Sequence, residues 1–350
     1  MIDLRQAWPR PAAPRPIVFV GAGAIVRTAH LPAYTRLRFP IAGLFDRCRA
    51  TAERTAQQFG GVPVFATIGD ASAAAGVVFD VAVPGAEIAG VLAQLPHGAA
   101  VLVQKPMGES LAAAREILEV CRARALVAAI NFQLRFSPNV MALADLVAAD
   151  GLGDLTDIEV RVVDRQPWEQ WSFLRHAPRL EVLYHSIHYL DTIRWIAGEP
   201  RGVMCRAIRH PQFEEFSDTR STIVLDYGDR IRCSLVLNHT HRHDEQHRES
   251  MVKIEGTAGA ALLTLGVNLD YPSGQPDRLE VALDGGWRPI ALRGSWFTEA
   301  FEGPMSNLQR FIAGEDTALI SPVSDAIKTM ALVEACYASS AAGPTLIPAA

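Results

Sequence analysis

The hydrophobic positions of this 350-residue chain change rhythm once. Up to about Phe132 they come in short unbroken runs: Pro16–Val20 (PIVFV), Ile41–Phe45 (IAGLF), Val77–Val83 (VVFDVAV), Ala100–Val103 (AVLV) and Leu126–Ile130 (LVAAI). Strands without alternation are buried on both faces, as parallel strands between two helical layers are. Helical stretches separate them at Arg47–Phe59, Ala86–Leu95 and Ser110–Ala123, and one more opens after Gly23. Repeated strand–helix units predict a doubly wound parallel sheet. Beyond Phe132 apolar and polar residues alternate, at Ile158–Asp164 (IEVRVVD), Thr222–Tyr227, Arg230–Leu237 and Val252–Glu255, with Asp226–Asp229 (DYGD) as a hairpin turn. Alternation predicts an antiparallel sheet with unlike faces. One strong helix interrupts it, Leu180–Ile196, and two more, near Phe297–Ile312 and Val323–Ala341, end the chain. The expected fold is therefore α/β plus α+β. A Pro- and Arg-rich flexible arm (1–15) precedes the parallel domain (16–132). The second domain (133–350) carries a largely antiparallel open sheet with helices on one face, its final helices free to pack back on the first domain.

The turn after the first strand reads Gly21-Ala22-Gly23-Ala24-Ile25-Val26 and opens a helix. Gly21 permits the tight turn, and Gly23 lets the backbone approach a pyrophosphate seated on the helix N-terminus. Gly21, Gly23, Ala24 and Ile25 are thus candidate dinucleotide contacts, and the first domain reads as a Rossmann fold. Val26 stands where glycine or alanine is usual. Asp46 lies at the end of the second strand, 23 positions after Gly23, close to the spacing of roughly 20 expected for the acid that binds the adenosine ribose. A carboxylate there accepts from the 2′-hydroxyl and repels a 2′-phosphate, so NAD is expected over NADP. Arg47 and Arg49 are positioned to soften that preference.

Composition narrows the partners. A formal charge of −5 gives no footprint for nucleic acid or an anionic membrane surface. No apolar run reaches the roughly 18 residues of a membrane span, and the first 16 residues lack the apolar core of a secretory signal. Five cysteines, without a CxxC pair, read as reduced thiols of a cytoplasmic protein.

Five motifs in order resemble the glucose–fructose oxidoreductase / inositol dehydrogenase / MocA family. They are Gly21–Val26 with His30-Leu31-Pro32-Ala33, Val103-Gln104-Lys105-Pro106, Asn131–Pro138 (NFQLRFSP), His188-Tyr189-Leu190-Asp191, and Ile254–Gly259 (IEGTAG). The resemblance spans about Pro16 to Pro348 and implies a sugar or polyol dehydrogenase acting on CH–OH groups. It implies that Lys105 and His188 are catalytic: histidine takes the hydroxyl proton, and the ammonium stabilises charge on the oxygen. Arg47, Pro84, Gln104 and Lys105 join the cofactor contacts, and Arg135, Tyr184, His185 and His188 the substrate contacts. It further implies a homodimer or homotetramer formed through the C-terminal sheet.

Two positions depart from the family. Gln104 replaces the usual glutamate. Tyr184 stands where many members have aspartate four residues before the histidine; residues so spaced share a helix face, so Tyr184 joins the candidate catalytic set, with Glu181 on the same stripe. His239, His241, His243 and His247 do not have the spacing of simple zinc motifs, and no metal centre is expected. Two other functions compete with the dehydrogenase: an NAD-retaining, redox-assisted glycoside hydrolase or eliminase, and a non-catalytic dinucleotide-binding regulator. The fold does not separate them, because function belongs to the site.

Overall fold

A computed structural model describes residues 3–283 and 285–347. The chain divides into two compact units, residues 3–142 with 292–330, and residues 143–291 with 331–347. Among the described residues no helix is long and apolar enough to cross a membrane.

The first unit is built on a five-stranded sheet of β1 (Ile17–Val20), β2 (Ile41–Phe45), β3 (Val78–Val81), β4 (Ala100–Gln104) and β5 (Val127–Asn131). The spatial order is β2-β1-β3-β4-β5, and every pair is parallel. Strand order reverses between β1 and β3, and ligands of such sheets bind at that switch, beyond the carboxyl ends of the strands. The unbroken apolar runs have their physical reason here: β1 and β3 are buried along their whole length. The helix Glu302–Ile312 belongs to this unit, and Phe301, Met305 and Leu308 share one core with Phe19, Val26, Leu44 and Leu102. The arm at 3–15 has no regular structure but is anchored rather than loose. Trp8 Nε1 donates to Asp316 (2.8 Å), the Ala12 amide to Glu315 (3.0 Å) and the Arg15 amide to Gln309 (2.7 Å).

The second unit holds an eight-stranded sheet of β6 (Leu155–Val163), β7 (Gly202–Ile208), β8 (Arg220–Asp226), β9 (Arg232–Asn238), β10 (Glu249–Gly256), β11 (Ala260–Thr264), β12 (Arg278–Ala282) and β13 (Trp287–Pro289). Its order is β13-β12-β11-β10-β6-β9-β8-β7. All neighbours are antiparallel except β6 and β9, which run parallel. The sheet has unlike faces: Ile158, Val160, Ile223, Leu235 and Ile254 are buried on one, while Met204, Ile208 and Val236 are exposed on the other. The helix Ile187–Ala197 contributes Tyr189, Leu190 and Ile193 to the buried interior.

Candidate functional site

In the first unit the candidate residues gather at the carboxyl ends of the parallel strands. Gly21 follows β1 with φ +102°, and a Cβ there would lie 2.2 Å from the Ala82 carbonyl oxygen, so glycine is demanded by the fold itself. Gly23 is different. A Cβ on Gly23 would meet nothing within 4 Å, so open space lies over its backbone, with room for a ligand. Val26 is fully buried, and a π-helical turn begins at it, Val26–His30, in which the Leu31 amide donates to the Val26 carbonyl. A widened turn thus accompanies the branched residue at the usually small position.

Asp46 is half-buried. Its carboxylate accepts from the Ala22 amide (2.9 Å) and from the Cys48 amide (2.8 Å), tying the end of β2 to the glycine loop. Arg47 pairs with Glu87 and Arg49 with Glu53, so each guanidinium beside Asp46 has its own acid. Pro84 leads from β3 into the turn Gly85–Glu87. Ala24 and Ile25 are half-buried at the start of the helix.

Lys105 directly follows β4, and burial pulls its ammonium down to about 7. Behind it runs a buried polar chain that sequence reasoning does not reveal. The Gln104 amide oxygen, last residue of β4, accepts from Asn131 Nδ2 (2.8 Å). Asn131 Nδ2 also lies 3.3 Å from His30 Nε2, and His30 Nδ1 is 2.8 Å from Asp80, which accepts from the Tyr34 hydroxyl (2.6 Å). Burial first and Asp80 second push the Tyr34 hydroxyl well above its ordinary range. Gln104 is therefore an amide bonded to an amide, and the strand end carrying Lys105 is held by a buried network. Arg135 is directed elsewhere. Its buried guanidinium donates to Asp325 (2.7 Å) and to the Ile320 carbonyl (2.8 Å) within the same unit. Those bonds fasten the residues after β5 to the returning segment.

In the second unit His188 lies on the helix Ile187–Ala197 and is 5% exposed. A π-helical turn, Val182–Ser186, precedes it and carries Tyr184 and His185. Tyr184 packs with the aromatic cluster of Trp168, Phe213 and Phe216, its ring 5.9 Å from Phe173. The ring of His188 is 6.4 Å from that of His185.

His185 in turn belongs to a buried cluster whose parts come from three separate segments. Because β6 and β9 are parallel neighbours, their carboxyl ends coincide, and the residues just beyond them, Asp164 and His239, meet: Nδ1 of His239 is 2.6 Å from Asp164 Oδ1. The third part is Glu181, whose carboxylate accepts from the Ser186 hydroxyl (2.5 Å) and lies 3.3 Å from His239 Nε2. The Asp218 carboxylate accepts from the amides of Leu180 (2.8 Å) and Glu181 (3.0 Å), which fixes the start of that helix. Gln166 Nε2 bridges Asp164 (2.9 Å) and His185 Nε2 (3.2 Å). Burial opposes a charge on His239, but Asp164, with Glu181 beyond it, outweighs burial and lifts the imidazole to about 9. Glu181, His185 and His239 each offer one ligating atom, all within 4.8 Å of one another.

His239 thus leaves the histidine run to which the sequence assigns it. His241 Nε2 is 3.0 Å from the Asp244 carbonyl, and His241 and His243 line a separate exposed cleft of about 400 Å³ with His210, Arg220 and Arg242. Asp164 and Gln166 carry no motif of their own. The one available signal is a polar residue directly ending each of two apolar strands, and it becomes informative only once those strands are known to be parallel neighbours.

The chain is similar to known proteins. A model described as the oxidoreductase family, NAD-binding Rossmann fold, matches residues 15–132, and a model of the GFO/IDH/MocA C-terminal domain matches residues 140–262. D-apiose dehydrogenase of Rhizobium rhizogenes is 25% identical over 267 residues, which are 71% of this chain and 72% of that one. Trans-1,2-dihydrobenzene-1,2-diol dehydrogenase of Sus scrofa is 41% identical over 179 residues, 49% of each chain. The structure of an oxidoreductase from Agrobacterium radiobacter in complex with NAD+, L-tartaric acid and magnesium superposes with a TM-score of 0.78 at 21% identity, covering 95% of this chain and 98% of that one.

Proposed function

The chain belongs to the GFO/IDH/MocA family of NAD-binding oxidoreductases, and from that premise we propose that it is an NAD-dependent dehydrogenase of a sugar, polyol or related hydroxy compound. The observation that carries this reading is the half-buried lysine immediately after β4, its ammonium pulled down by desolvation, on the same sheet edge as a glycine loop with open space over its second glycine. A lysine whose ammonium sits near 7 exchanges its proton readily at neutral pH and interacts strongly with an oxygen gaining negative charge. In the proposed step His188 would take the hydroxyl proton and Lys105 would polarise the oxygen. Gly21, Gly23, Ala24, Ile25, Asp46 and Pro84 would hold NAD, which when bound would supply the hydride acceptor, and Tyr184 and His185 would contact the substrate. The bonds made by Arg135 favour a structural role over substrate contact.

NAD is preferred over NADP in this reading, because Asp46 presents a carboxylate and the nearby Arg47 and Arg49 are each engaged by a glutamate. A homo-oligomer through the open face of the second sheet fits the exposed Met204 (62%) and Val236 (37%) on that face. The odd cysteine count without CxxC pairs supports a cytoplasmic location. The relatives' substrates make D-apiose and vicinal diols natural first members of a test panel.

The experiment is NADH formation by the purified protein with aldoses, inositols, sugar acids and short polyols, alongside Lys105→Ala and His188→Ala. The reading expects turnover with at least one compound and its loss in both variants. Full turnover in His188→Ala would remove that residue from the mechanism. Tight NAD binding with no turnover across the panel would favour the redox-assisted hydrolase or the regulator.

A further inference from the structure

We propose that the second unit carries a divalent transition-metal site, of the kind that takes zinc, formed by Glu181, His185 and His239.

The ligand set is two imidazoles and one carboxylate, a combination that binds first-row divalent ions and leaves a coordination position for water or a substrate oxygen. The three ligating atoms already converge within 4.8 Å of one another. The spacing of the closest measured pair is informative. His239 Nε2 lies 3.3 Å from Glu181 Oε1 but lacks the alignment of a hydrogen bond. Metal bonds of about 2.0–2.1 Å at tetrahedral angles place neighbouring ligand atoms roughly 3.3–3.4 Å apart.

Three further observations point to an ion. The Glu181 side chain is fully buried, and its Oε2 has no hydrogen-bond partner, although a buried carboxylate oxygen ordinarily has one. The other ring nitrogen of His239 is bonded to Asp164 at 2.6 Å, the carboxylate–histidine arrangement that orients metal-binding imidazoles. Finally, two buried carboxylates, Asp164 and Glu181, share the single imidazole of His239. A protonated His239 leaves one negative charge over, whereas a dication bound to neutral imidazoles balances both, and an unbalanced buried charge is costly. His185, 8% exposed, is the most accessible of the three and marks the side from which an ion enters.

The test is a zinc titration of the full-length protein, stripped with chelator, by calorimetry, with the Co²⁺ absorption spectrum as a second readout. One equivalent should bind with a dissociation constant below about 1 µM. Glu181→Gln and His239→Asn should abolish that binding. Asp164→Asn should weaken it about 10- to 100-fold. His241→Ala combined with His243→Ala, in the separate exposed cleft, should leave it unchanged. Circular dichroism checks that each variant folds. If the ligand variants do not fold, wild-type Co²⁺ spectra decide: intense tetrahedral absorption supports the site, and weak six-coordinate absorption contradicts it. No saturable binding up to about 100 µM Zn²⁺, some hundredfold above the expected constant, overturns the proposal. So does binding that survives Glu181→Gln but disappears with His241 and His243. Metal binding is read without turnover, so the result is independent of whether the proposed dehydrogenase activity is found.

Discussion

The glycine loop of the first unit and the histidine–carboxylate cluster of the second are both built at the carboxyl ends of parallel strands, yet they differ in how the fold depends on them. In the loop one residue, Gly21, serves the protein and its neighbour Gly23 leaves space for something else. In the cluster the side chains depend on one another: His239 sits between Asp164 and Glu181, and all three are buried. An open site can lose its ligand contacts without losing the fold. A closed polar site cannot lose one member without stranding the others.

That contrast is sharpest at His239. Replacing it with leucine in chelator-treated protein leaves the Asp164 and Glu181 carboxylates buried without their shared partner. We expect a loss of about 3–5 kcal/mol of stability in urea denaturation. A loss under about 1 kcal/mol would mean that the side chains do not depend on one another in the way their geometry indicates.

The two glycines come next. Gly21→Ala forces a Cβ against the Ala82 carbonyl at positive φ, which should cost about 2–4 kcal/mol. Gly23→Val should change stability by no more than about 0.5 kcal/mol. It should nevertheless weaken NAD binding by about 100-fold, as read by calorimetry, because the side chain enters the open space in which the proposed site would seat the pyrophosphate. Equal destabilisation by both substitutions, with NAD affinity intact, would assign both glycines to the fold.

Lys105 has an expected effect on stability of the opposite sign. Burial lowers its folded-state value to about 7, so between there and the ordinary lysine value the unfolded chain binds the proton more tightly. The resulting penalty is largest below pH 7 and fades as pH rises through that window. Lys105→Met should therefore stabilise the protein by about 1–3 kcal/mol at neutral pH, with the advantage closing towards pH 10, while abolishing turnover. A pH-independent difference in Tm would argue against a lysine desolvated by the fold.

Legibility followed the same divide. The five parallel strands announce themselves because burial on both faces requires unbroken apolar runs, as in PIVFV and VVFDVAV. The candidate ribose-binding acid, Asp46, the glycine loop and the lysine after β4 are each local in sequence. The second sheet was half legible. β7, β11, β12 and β13 lie outside the expected strands: β7 is half exposed along its length, and β13 is three exposed residues. The short helix Ile68–Ser72 also lies outside the expected elements, although Thr67 and Asp70 form its capping box. The cluster was the least legible part. Asp164, Glu181 and His239 are far apart in the chain and meet because one pair of strands, β6 and β9, runs parallel in an otherwise antiparallel sheet. Alternation along a strand says which face is buried but not which strand lies beside it. The assumption that spacing of four fixes a shared helix face also needs adjustment, since the turn carrying Tyr184 is π-helical.

Hydride transfer is the central claim, and isotope tracing tests it most directly. A hydroxy compound found active in the panel is deuterated at its carbinol carbon and incubated with the protein and NAD, and the cofactor is examined by mass spectrometry. The account predicts one deuterium in the reduced cofactor, with the signal lost in Lys105→Ala and His188→Ala. Deuterium appearing in water with no labelled cofactor, or undiminished transfer by both variants, would contradict it.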